Sequence, residues 1–261
     1  MTRLAPSAAF RARLRTEADR PPLRPRVPLW WQGRRIGSLE PEVFVRAALP
    51  DALARQDAHG WHVQGELTES MERIARAMRD RGVASVWRDE QIAIRDEAGT
   101  VLGSVERAVV RPLAIATQAV HLVALDGRGR HWVQQRAVDK PSDPGLWDTL
   151  VGGMVPASEP LDVALERESW EEAGLRREQL LELRHGGSVF LRRPLAEVPH
   201  GYAVQEVAWF AGRLADGVEP RNQDGEVARF ACLDAEEVTR MMEAEQFTVD
   251  AAMILLAAFG D

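Results

Sequence analysis

One cysteine, one lysine and one tyrosine occur in 261 residues, and no apolar run approaches the roughly 20 residues that a helix needs to cross a bilayer. The lone Cys232 excludes an intramolecular disulfide and a cysteine-rich zinc site. It is read as a small buried thiol in a chain kept in a reducing compartment. Positive charge is also short: 33 Lys and Arg against 40 Asp and Glu leave a net charge of −7. No general field therefore draws the chain to nucleic acid or an anionic membrane, and an anionic substrate must be held by a local arginine or a metal. The N-terminus lacks the apolar core of a secretory signal, so a cytoplasmic location is expected. Its arginine-rich start, MTRLAPSAAFRARLRTEADR, has the composition of an organelle transit peptide but is read as a solvated amphipathic helix. What is present, 45% hydrophobic and 28% charged residues, is the balance of a globular chain with a core to bury.

The hydrophobic pattern divides the chain near Val110. Ahead of it, LWWQGRRIGSL and QIAIRDEAGTVLGSVE alternate about a central turn as hairpins, and GWHVQG reads as a strand. EPEVFVRAAL reads as a short helix, and TESMERIARAMRDRG as an amphipathic helix with Thr68 as its cap and Gly82 as its stop. Trp30, Trp31, Trp61 and Trp87 are assigned to the core of this unit, and no catalytic constellation is visible in it. After Arg111 the pattern changes: PLAIATQAVHLVAL, the turn DGRGR and HWVQQRA form a strand pair, followed by a long loop and a helix ending at Gly174. YAVQEVAWFAGRL and VARFACL read as strands, and DAEEVTRMMEAEQF and VDAAMILLAAF as terminal helices. The organisation expected is a small α+β domain at residues 1–110 and, at 111–261, a mixed sheet between helices.

The stretch ERESWEEAG, Glu166 to Gly174, places four carboxylates within two turns of the expected helix. Glu168, Glu171 and Glu172 share a face, where like charges repel by tenths of a kcal/mol per pair. A hard divalent cation, which takes oxygen ligands, would offset that repulsion. Reading backward, Arg167 precedes Glu168, and Glu159 and Gly153 follow at spacings of seven and five intervening residues.

Residues 153–175 resemble the Nudix box, G-x5-E-x7-R-E-U-x-E-E-x-G-U, at every position except Ser169, where the box prefers an aliphatic residue. The resemblance implies an α/β/α sandwich with a mixed sheet that hydrolyses a phosphoanhydride with Mg²⁺, Mn²⁺ being the substitute. It implies Glu168, Glu171 and Glu172 as metal-binding carboxylates, the Gly152 carbonyl as a further ligand, Arg167 as their orienting partner and Glu159 as an auxiliary acid. A later carboxylate is expected from NQDGEVARF, Glu226 first and Asp224 second. Arg136 and Lys140, ahead of the glycine loop, are candidate diphosphate clamps, and Trp209 is a candidate ring-stacking residue. Segments outside the box, RAVDKPSDPGLWDTLVGGMVPASEP and PRNQDGEVARF, resemble the Nudix subgroup found fused to thiamine pyrophosphokinase. That resemblance implies thiamine diphosphate or its oxidised analogues as substrate. ADP-ribose or another nucleotide is the alternative, as is a Nudix-fold ligand-binding regulator without turnover. The partners expected are a small diphosphate and, as one option, a second copy in a homodimer, with neither nucleic acid nor membrane.

Overall fold

The computed structural model describes residues 3–260. Helix α1 (Ala8–Ala18) is capped by Ser7, whose hydroxyl accepts the Phe10 N–H. Strands β1 (Val27–Trp31) and β2 (Arg34–Leu39) pair antiparallel across Gln32 and Gly33, both at positive φ, as a tight hairpin turn demands. After α2 (Glu42–Arg46) come β3 (Ala54–Asp57) and β4 (Gly60–Val63), giving a four-stranded sheet in the order β2-β1-β4-β3. Helix α3 (Leu67–Asp80) buries Leu67, Met71, Ile74 and Met78 against this unit. Each such side chain contributes roughly 1.5–3 kcal/mol of burial. The cap of α3 is Glu66, whose carboxylate accepts the Glu69 N–H, whereas Thr68, expected there, accepts the Ser104 N–H instead. Strands β5 (Gln91–Arg95) and β6 (Val101–Glu106) form a separate hairpin packed on α3.

The second sheet contains β7 (Thr117–Leu125), β8 (His131–Arg136), β9 (Trp147–Asp148) and β10 (Val151–Met154), then α4 (Leu161–Ala173). The chain continues through β11 (Leu180–Pro194), β12 (Tyr202–Leu214), β13 (Val227–Leu233), α5 (Ala235–Glu243) and α6 (Val249–Phe259). The main order is β11-β12-β7-β8-β13, with β10 on β7 and β9 on β8. The β7–β12 pair is parallel and its neighbours are antiparallel, so the sheet is mixed. One face packs on α4 through Val120, Leu122, Leu165 and Ala173. The other packs on α5 and α6 through Val123, Val207, Val238 and Leu255. This is the sandwich expected from the sequence, preceded by the small α+β unit.

Two features depart from the sequence reading. The arginine-rich start is not a solvated helix: Leu4, Phe10, Leu14 and Ala18 lie in the same core cluster as α6. The Leu4 N–H donates to the Phe259 carbonyl and Arg11 to that of Gly260. The long β11 was not anticipated, because its alternation is broken by register shifts after Leu181 and His185, with Glu182 and Gly187 at positive φ.

The two sheets are joined by a polar clamp. Nδ1 of His200 lies 2.6 Å from a carboxylate oxygen of Glu40, and an Arg46 Nη1 lies 3.1 Å from its Nε2. The arginine can only donate, so Nδ1 carries the imidazole proton toward Glu40. Arg26 adds hydrogen bonds to the carbonyls of Ser38, Pro112 and His200.

Candidate active site

Helix α4 is set by its ends. Asp162 lies in the first turn, where the helix dipole favours an anion. Gly174, at φ +62°, closes the last turn in the left-handed conformation that glycine adopts freely. Burial of Ala164, Leu165 and Ala173 fixes the rotation of the helix, and Ser169, 1% exposed, fills the tight position on the same side. The remaining face directs Glu168 and Glu172 at β10, whose Gly152 and Gly153 pair with His121 and Val120 of β7. A β-carbon on Gly153 would lie 2.0 Å from the Glu168 carboxyl carbon, and one on Gly152 would lie 2.5 Å from the His121 ring. Any side chain at either position would therefore displace the carboxylate or the imidazole.

Arg167 gathers three carboxylates. Its Nε donates to Glu159 at 3.0 and 3.2 Å, and its Nη1 lies 2.9 Å from an oxygen of both Glu168 and Glu171. Burial lifts the Glu168 carboxyl above its ordinary range against the opposing charge of Arg167. Glu172 is 1% exposed. Its Oε2 accepts the Gly152 N–H and the Gln134 side-chain amide, each at 2.8 Å, and its Oε1 lies 3.5 Å from Lys140 Nζ. Burial, partly opposed by Lys140 and reinforced by Glu168, pushes its pKa up to about 8. Oxygen donors crowded in this way, with two of the carboxyls shifted upward by burial, suit a hard divalent cation. The Gln134 Oε1 and Arg167 Nη2 are also buried without a hydrogen-bond partner.

Glu226, half-exposed, forms an ion pair with Lys140, which thereby links it to Glu172. Burial raises the Glu226 carboxyl, but Lys140 with Arg107 and Arg88 brings it below the ordinary range. Asp224 accepts the Glu226 N–H and shapes the turn. Arg136 gives Nε and Nη2 to the Ser142 carbonyl and directs Nη1 at Asp148, 3.3 Å away. Neither expected clamp is therefore free: Arg136 braces the glycine loop and Lys140 bridges carboxylates. Trp209, 7% exposed, belongs to the core cluster beneath α6 and lies over Gly186, where a β-carbon would come within 1.9 Å of its ring. It packs the β11–β12 pair and does not line the cavity at Gly152 and Gly153.

The cavity that reaches Gly152 and Gly153 has a volume of about 240 Å³. Its far wall carries Asp143, Arg193 and Asp250, and its rim carries Arg88 and Arg107 from the first unit. A larger cavity of about 870 Å³, lined by Arg26, Arg35 and Tyr202, lies between β2 and β12 and does not include the glycine pair. Glu40, Glu42 and His200 also bring potential ligand atoms within 4.8 Å of one another. Glu40, however, is already hydrogen-bonded to His200, and Arg24 lies 3.5 Å away, so that group reads as the clamp between sheets. The sequence reading missed Gln134, Asp148, Arg193 and the two rim arginines. Gln134 alone left a signal, as a polar residue at an inward position of β8.

The NUDIX domain family matches residues 116–253. An uncharacterised Nudix hydrolase of Pseudomonas aeruginosa is 38% identical over 101 residues, 39% of this chain and 59% of that protein. A chloroplastic protein of Arabidopsis thaliana, Nudix hydrolase 20, is 25% identical over 185 residues, 69% of this chain and 48% of that protein. The chain thus spans about half the length of the curated relatives it matches. A crystal structure from Deinococcus radiodurans superimposes with a TM-score of 0.52 at 21% identity, covering 64% of this chain and 97% of that one.

Proposed function

Since the chain belongs to the Nudix family, we propose that it hydrolyses a phosphoanhydride bond of a small-molecule diphosphate with a divalent metal ion. The observation that carries this reading is the convergence of Glu168, Glu171 and Glu172 beside the Gly152–Gly153 strand, with Arg167 binding two of them. Glu168, Glu171 and Glu172, with the Gly152 carbonyl, would hold the ion, Mg²⁺ or in its place Mn²⁺. When bound, such an ion neutralises phosphate charge and makes a water molecule more acidic. The protein's own part is positional. Arg167 sets the carboxylates of Glu168 and Glu171, the Gly152 N–H and Gln134 fix Glu172, and Lys140 brings Glu226 to the cluster, where it takes a proton from the attacking water. Water adds to the terminal phosphorus, the bond from that phosphorus to the bridging oxygen breaks, and a monophosphate and orthophosphate leave.

For the substrate we propose thiamine diphosphate or, better, an oxo or oxy analogue of it. The segments around the box that resemble the thiamine-linked subgroup support this reading. We further propose that residues 111–261 carry the chemistry and that the unit before them, α1 excepted, covers the substrate entrance.

A phosphate-release screen with Mg²⁺ tests both levels. The oxo analogue should exceed intact thiamine diphosphate, ADP-ribose and nucleoside triphosphates in kcat/KM. One unpaired buried donor or acceptor is enough for roughly tenfold to a hundredfold discrimination. A tenfold advantage for ADP-ribose would replace the thiamine assignment by a nucleotide one. No release from any diphosphate would leave a ligand-binding regulator.

A further inference from the structure

Phosphate hydrolysis at Gly152–Gly153 requires positive charge for the phosphate oxygens, and almost every cation around that cavity is already engaged. Arg136 serves Ser142 and Asp148, Arg193 faces Asp143 and Asp250, and Arg107 pairs with Glu90. Arg111 donates to Thr117 and Gln205, and Lys140 lies between Glu172 and Glu226. Arg88 lines the same cavity. Its side chain is exposed, and among the described residues its guanidinium has neither a hydrogen bond nor a close ion pair, its charge acting only at longer range on Glu226.

The backbone under Arg88 is built to hold a fixed position. Glu106, 1% exposed, accepts the N–H groups of Arg88, Glu90 and Ala108. Asp89 between them sits at φ +56°, an uncommon conformation for a residue with a side chain. Its carboxylate accepts the Trp87 indole N–H at 2.7 Å, and Arg79 stacks on that indole. The Ala157 N–H donates to the Gln91 carbonyl, which ties this loop to the turn just ahead of α4. A rigid backbone that carries a guanidinium without a hydrogen-bond partner beside the cavity is the arrangement of a ligand-binding arginine. A forked guanidinium is also suited to two oxygens of one phosphate.

We propose that Arg88 binds a phosphate group of the substrate, so that the first unit completes the active site of the second. This inference rests on the diphosphate reading above. It also assigns a function to a unit in whose sequence no catalytic constellation is visible.

Isothermal titration of the full chain with methylenediphosphonate in the presence of Mg²⁺ reads the contact without turnover. R88A should weaken binding by roughly tenfold to a hundredfold, the loss expected for a charge-assisted hydrogen-bond partner. R88K should recover part of that loss, because the ammonium keeps the charge but not the fork. R35A, an exposed arginine of the larger cavity, should match the wild type. With a diphosphate that is turned over, R88A should raise KM more than it lowers kcat. Wild-type affinity in R88A, an equal loss in R35A, or no wild-type binding of the probe would overturn the proposal. Failure of the hydrolase reading has a different signature: no phosphate release by the wild type, with the titration still dependent on Arg88.

Discussion

Glu106 and Glu172 are both 1% exposed, and they illustrate two ways of burying a carboxylate. Glu106 accepts two backbone N–H groups from the loop ahead of β5 and one from Ala108, so it is met by fixed dipoles and the result is a shaped loop. Glu172 receives one backbone N–H and one amide, faces Lys140 at 3.5 Å, and has Glu168 nearby. Its ionisation is opposed, and its pKa rises to about 8. The first arrangement stabilises the fold. The second keeps a carboxyl whose ionised form Lys140 only partly offsets, a demand that a bound cation would meet, as functional sites commonly do.

The two glutamates should differ most in their effect on turnover. Glu172→Gln and Glu171→Gln should each lower kcat on the order of a thousandfold while circular dichroism and cooperative unfolding show an intact fold. A folded variant with full turnover would remove that residue from the proposed mechanism. Glu106→Ala should reverse the pattern, costing about 3 kcal/mol in urea denaturation because buried N–H groups lose their acceptor. If it left stability unchanged, the contrast between the two glutamates would collapse.

A third test uses pH on chelator-treated protein. The folded pKa of Glu172 is raised above its ordinary 4.5 to about 8, so between those values the folded state binds a proton that the unfolded state has released. Its contribution therefore favours the fold at low pH and is lost as pH rises from 4.5 toward 8. Glu172→Gln should flatten that slope and be the more stable protein near pH 8. A slope unchanged by the substitution would locate the linkage elsewhere. The smallest effect concerns α6, where the Thr248 hydroxyl accepts the Ala251 N–H. Thr248→Ala should cost about 1 kcal/mol without altering the pH slope.

The box was legible because its information is local. Spacing along one helix places Glu168, Glu171 and Glu172, and Gly174 ends that helix, whatever the rest of the chain does. The long apolar run of β7 and its partner β8 across a tight turn were equally plain. The signal failed where geometry depends on distant partners. Strand β11 hides behind two bulges, and α1 looks solvated until α6 is placed beside it. Glu106 and Arg88 left no signal, because backbone N–H groups and a cavity wall give them their setting, and composition reveals neither. Trp209 shows the converse, since an aromatic in a strand suggests a stacking surface and instead packs over Gly186.

The seating of α1 on α6, sealed by the hydrogen bond from Leu4 to Phe259, has a consequence for synthesis. Helix α1 has its apolar face covered by α6, which is made much later. At ribosomal speeds the interval between them is on the order of tens of seconds. For that time Phe10 and Leu14 have no native neighbour from α6, so the nascent chain presents an amphipathic arginine-rich segment open to chaperones and to mispairing. Closure of the fold around α1 thus waits for the synthesis of α6.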